Sequence, residues 1–166
     1  VIEIASNRKA RAIRAARVAL ALAATLPLLA GCALIEGPTP ETPTRTEPPV
    51  PEVEPEFVPG GSAADNLPYF TEVLRKYAAG DSVIKGEPVA QRVVDAGFDP
   101  AAIQFSFDQS KTGLPADNIF VSVLIGPDCL IGQLVTGDRS FVVANEPAVG
   151  PEGNICLIGN TRSVDW

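Results

Sequence analysis

Ile119-Phe-Val-Ser-Val-Leu-Ile125, then Gly126-Pro127-Asp128, then Cys129-Leu-Ile-Gly-Gln-Leu-Val135: this stretch reads as two strands joined by a hairpin-sized turn. The first run is apolar almost throughout, which predicts a largely buried strand. Gly-Pro-Asp is turn chemistry and ends it. Upstream, Ile103, Phe105 and Phe107 alternate with Gln104, Ser106 and Asp108, the period of two of a half-buried strand. Downstream, Gly137-Asp138 marks another turn, and Phe141 to Ala144 and Ile155 to Ile158 supply further short strands.

Before the strands the period changes. Leu67, Phe70, Leu74 and Tyr77 fall on one face of a helix spanning Ala64 to Ala79, with Glu72, Arg75 and Lys76 away from it. Pro68 belongs in a first turn, so Asn66 or Leu67 is the expected cap, and Gly80 ends the helix. A second helix is predicted from Glu87 to Ala96, with Val89, Val93 and Ala96 inward, stopped by Gly97. Asp99-Pro100 then opens a single turn. Helices followed by strands predict an α+β domain over residues 63–166: two N-terminal helices packed on a small antiparallel meander of three to five strands. Trp166 is expected to pin the last strand as a core plug.

The other end of the chain carries an address. Arg8, Lys9, Arg11, Arg14 and Arg17 precede Val18 to Ala30, which holds no charge, and Leu29-Ala30-Gly31-Cys32 closes that run. The apolar core is shorter than the roughly 20 residues that span a bilayer. A basic flank, a short core and small residues before a cysteine resemble the export signal and lipobox of bacterial lipoproteins. That resemblance implies cleavage before Cys32, so that residues 1–31 are removed, and a thioether-linked diacylglyceryl group on Cys32. The chain is then expected on the outer, extracytoplasmic face of a cell membrane, held by lipid, with no other cofactor. A transmembrane anchor or plain secretory signal with an incidental cysteine is the alternative.

Residues 32–62 are expected to form the lipidated terminus and an acidic, disordered linker. Residues 36–62 contain eight prolines and six glutamates, a composition that buries little and favours extended polyproline II. At about 3.1 Å per residue such a spacer reaches on the order of 80 Å. From Cys32 onward there are eight basic and nineteen acidic residues, a net charge of −11, which argues against nucleic acid as a partner.

Export also fixes the redox setting. With Cys32 lipidated, Cys129 and Cys156 remain, and an oxidising compartment favours a disulfide between them. Closing that loop is worth roughly 3 to 4 kcal/mol by chain entropy. Cys129-Leu-Ile-Gly-Gln is echoed by Cys156-Leu-Ile-Gly-Asn, as though two neighbouring strands presented one face to the core. No histidine is present, which removes Ser-His-Asp and Cys-His machinery and the usual zinc sites. No metal site is expected. Ser82-Val-Ile-Lys85 and Lys111-Thr-Gly113 match two motifs of penicillin-binding proteins, but their spacing and setting do not fit that fold.

The richest polar stretch is Asp108 to Asn118, in which Asp108, Lys111, Asp117 and Asn118 are candidate binding groups. Asn66-Leu67-Pro68, Ala96-Gly97-Phe98-Asp99, the two Cys-Leu-Ile-Gly segments and Val164-Asp165-Trp166 together resemble a small domain of unknown function from actinobacterial lipoproteins. That resemblance implies no particular activity. Two functions follow as expectations: a non-catalytic envelope module that binds a protein, glycan or small ligand, or a histidine-free enzyme acting on cell-wall material through the carboxylates of the 108–118 loop.

Overall fold

A computed structural model describes residues 46–166; the lipobox, Cys32 and the first part of the linker lie outside the described residues. The order of elements is α1 (Ala63–Ala79), α2 (Gly86–Asp95), a single 3-10 turn (Pro100–Ala102), β1 (Ile103–Ser106), β2 (Asn118–Ile125), β3 (Asp128–Val135), β4 (Phe141–Pro147) and β5 (Thr161–Ser163). Among the described residues the class is α+β, two helices followed by a five-stranded antiparallel sheet. Strand order is β4-β3-β2-β1-β5: four strands meander, and the fifth returns to the opposite edge beside β1.

Register fixes which side chains face the helices. Ile119, Val121 and Val123 of β2 stand opposite Leu134, Gly132 and Leu130 of β3, and Ile103 and Phe105 of β1 pair with Val123 and Val121. These side chains form one core with Phe70, Leu74, Val89 and Val93 of the helices. Gly132 sits where α1 comes closest: a Cβ there would lie 2.2 Å from Leu74 Cδ1. The sheet period thus alternates between a face covered by helices and an outer face that they do not reach.

Helix α1 starts earlier than the sequence suggested. Ser62 is the cap, and its hydroxyl and the Asp65 carboxylate form a reciprocal capping box. The Ser62 hydroxyl, then its backbone amide, hold the Asp65 carboxyl below the usual aspartate range. Pro68 therefore lies inside the helix. The side it cripples faces water: Pro68 and Ala64 are both exposed, so the orphaned Ala64 carbonyl can be solvated. Asn66, expected as a cap, is buried instead. Its Oδ1 accepts from Val58 N at 2.9 Å, and its Nδ2 donates to the carbonyls of Val58 and Ser62.

Those bonds tie the acidic proline segment to the domain. Arg75 Nη2 donates to the carbonyls of Pro48 and Pro49, each at 2.9 Å, and Lys76 is paired with Glu54. Phe57 packs edge-on against Phe98, with ring centroids 5.1 Å apart, and also meets Tyr69. At the other end of α1, Arg139 caps the last carbonyls: its Nε donates to Ala78 O at 2.8 Å and its Nη2 to Tyr77 O at 3.1 Å. A cation at a helix C-terminus is favourable, and Arg139 reaches it from a left-handed turn position, φ 62°.

Four local expectations are corrected. Ile155 to Ile158 is no strand. Val149 and Ile155 close their own short bridge, and the free edge of β1 is taken by Thr161–Ser163. The echoed cysteine segments therefore do not lie in neighbouring strands; the second is a strap. Phe107 falls beyond β1 and is 48% exposed, because the chain leaves the sheet so that Asp108 can reach α2. Trp166 is half exposed rather than a core plug, meeting Phe105 edge-on at 5.7 Å while its indole N–H donates to Gln91.

Candidate functional site

The outer face of the sheet carries more apolar side chain than a solvated face should. Phe120 and Leu124 of β2 and Ile131 of β3 have the parity that points away from the helices. Their cover is the segment after β4. Cys156 is bonded to Cys129 of β3, with Cα atoms 5.5 Å apart, and both are buried. Gln104, on the outer face of β1, holds the same segment twice: its Nε2 donates to Asn154 O at 3.2 Å, and its Oε1 accepts from Cys156 N at 3.3 Å. From Cys156 the chain crosses to Thr161, which pairs with Ser106 at the start of β5.

Between this strap and the sheet is a cleft of about 310 Å³. Phe120 and Ile131 line it with Leu157, Ile158 and Cys156, and Ser106, Asn160 and Thr161 complete the lining. Ile158 is 92% exposed on the strap. A second groove of about 380 Å³ shares Ser106 and Asn160 and continues along Phe107, Gln109, Ser110 and Lys111. The combined depression is largely apolar, with its polar side chains gathered toward the groove end, the composition of a small-molecule site.

The sequence-predicted loop residues do not converge. Asp108 Oδ1 accepts from Gly86 N at 2.7 Å. Helix α2 has Lys85 at its cap with no side-chain bond of its own, so Asp108 supplies the missing acceptor from another element, a contribution of about 1 kcal/mol. Asn118 Oδ1 accepts from Gln133 Nε2 at 2.8 Å on the outer face. Asp117 is exposed at the entry to β2, its carbonyl accepting from Thr136. Lys111 alone of the four lines the groove. Among the described residues, no three His, Cys, Asp or Glu side chains are placed to hold a metal ion.

A larger hollow, about 430 Å³, lies between the end of α1 and α2, lined by Lys76, Tyr77, Gln91, Arg92 and Asp95 among others. Several of its polar groups are already engaged with the protein. Lys76 is paired with Glu54, which raises its pKa, the Tyr77 hydroxyl donates to Val83 O, and Gln91 donates to Asp95. The outer cleft is the better site because, among the described residues, none fills its apolar lining.

Sequence reasoning missed Phe120 and Ile131. The signal was present: two helices cover one sheet face, so apolar residues of the opposite parity require a cover of their own. A family model described as a domain of unknown function (DUF6993) matches residues 74–160, a span that includes both cysteines, the cleft floor and the strap. No curated protein and no solved structure matches the chain.

Proposed function

The chain belongs to the DUF6993 family, a domain of unknown function, and from that premise we propose that it is a lipid-anchored, extracytoplasmic binding module without catalytic chemistry. Cys32 would carry a diacylglyceryl anchor after cleavage behind Leu29-Ala30-Gly31, and the folded part would present its outer-face cleft to a ligand. The cleft carries the reading: a disulfide-held strap bounds an apolar hollow on the sheet face that α1 and α2 do not cover. The enzyme alternative has no comparable support. Asp108 gives its carboxylate to a helix amide, Asp117 is exposed, and neither lines the cleft or the groove, so neither carboxylate is placed at a hollow for an acid or base role.

Two measurements test the two halves. In a bacterial envelope, Cys32→Ser moves the protein from the membrane to the soluble fraction or leaves it at its unprocessed size; unchanged size and membrane retention overturn the anchor. For the cleft, the neutral dye Nile red binds the full chain saturably at one site, and Ile131→Asp, which puts a charge on the apolar floor, removes the binding. Unaltered dye binding by that folded variant overturns the cleft as the binding site.

A further inference from the structure

The ligand class can be read from what the site offers and what it withholds. The cleft floor comes from the central part of the sheet. Ile131 is laddered to Ser122 on one side and Ala144 on the other. The Phe120 amide donates to Ser106 Oγ at 3.0 Å, and Ser106 itself is paired with Thr161. The floor therefore presents side chains rather than a free strand edge. A peptide laid across it would bring backbone N–H and C=O groups into an apolar hollow without partners, which is costly. An alkyl chain brings none.

The polar end adds a sign. Among the described residues, Lys111 is the only charged residue lining either hollow, and no carboxylate lines them. Among the described residues Lys111 makes no ion pair, although the chain from Cys32 carries a net charge of −11. An acidic head group would meet repulsion over much of this surface and attraction at this groove. Ser106 and Asn160 stand at the junction of the two hollows, where an alkyl chain would become a head group. Phe107, which also lines the groove, extends the apolar surface toward that end.

We propose that cleft and groove together bind a single-chain aliphatic acid, with its alkyl chain over Phe120 and Ile131 and its carboxylate at Lys111. This rests on the reading of the cleft as a binding site and deepens it. The test uses the full chain, titrated with decanoate and with the neutral alcohol decanol, followed by calorimetry and by the methyl resonances of Ile131 and Ile158. Decanoate is expected to bind about fivefold more tightly than decanol, the yield of one exposed ion pair. Lys111→Met should bring decanoate down to the affinity of decanol and leave decanol unchanged; Lys111 is exposed, so this variant should fold. Equal affinity for the two probes, or a decanoate preference that survives Lys111→Met, overturns the proposal. So does a peptide ending in leucine that displaces decanoate and binds more tightly. Saturable Nile red binding alongside any of these results would leave the cleft reading standing and remove only the aliphatic acid.

Discussion

Cys129→Ala together with Cys156→Ala is expected to lower the free energy of unfolding by about 3 to 4 kcal/mol and to abolish binding at the outer cleft. The stability loss arises mainly in the unfolded chain, which regains the freedom that the cross-link between residues 129 and 156 removes. For a domain whose total stability lies within about 5 to 15 kcal/mol, this is a large fraction. The binding loss arises in the folded state. Without the bond, the strap is held over the sheet by the two hydrogen bonds of Gln104 and by the pairing of Thr161 with Ser106 where the chain enters β5. Urea unfolding at equilibrium gives the first quantity and Nile red binding gives the second. Alanine is chosen because both positions are buried, where a serine hydroxyl would add its own desolvation cost. A double variant within about 1 kcal/mol of wild type would show that the cross-link is not a principal stabiliser. Retained dye affinity would show that the strap is placed by its other contacts.

The large periodic signals were legible in the sequence. Phe70, Leu74 and Tyr77 are buried on one face of α1, as their spacing required. The run ending at Ile125 and the run beginning at Cys129 form the hairpin of β2 and β3. The pairing of Cys129 with Cys156 is also present. What escaped the sequence has local physical causes. Pro68 pointed to a late helix start, yet Ser62 and Asp65 make the stronger signal because together they satisfy the orphan amides. Thr161-Arg162-Ser163 has no apolar period, and only the vacant edge of β1 makes it a strand. Phe57 and Val58 were hidden in an acidic proline run, although two apolar neighbours there already hinted at contact with the core. The polar 108–118 loop attracted attention as a site, but Asp108 spends its carboxylate on a helix end. The site instead lies where apolar residues had no partner layer, a deficit visible only when the helices are assigned to a face.

Gly132→Val should be the most damaging single substitution in the sheet, with a loss of about 3 kcal/mol or more. Two effects oppose one another at this position. A glycine in a strand is unfavourable for backbone entropy, and valine is a good strand residue, which would favour the variant by up to about 1 kcal/mol. Against that, a Cβ would lie 2.2 Å from Leu74 Cδ1 and 3.3 Å from Phe70 Cζ. Both side chains are fully buried, so neither can swing into open space, and α1 must lift from β3 or distort. Overpacking of this kind outweighs strand propensity because the core is close-packed. Gly137→Ala provides the comparison: nothing lies within 4 Å of its Cβ position, and its stability should match wild type within about 0.5 kcal/mol. Combining Gly132→Val with Leu74→Ala should cost less than the sum of the two single losses, because the smaller residue vacates the space the larger one needs. Strict additivity in urea unfolding would mean that the two positions do not compete for one volume, and the close approach of α1 to β3 would then not be what requires glycine there.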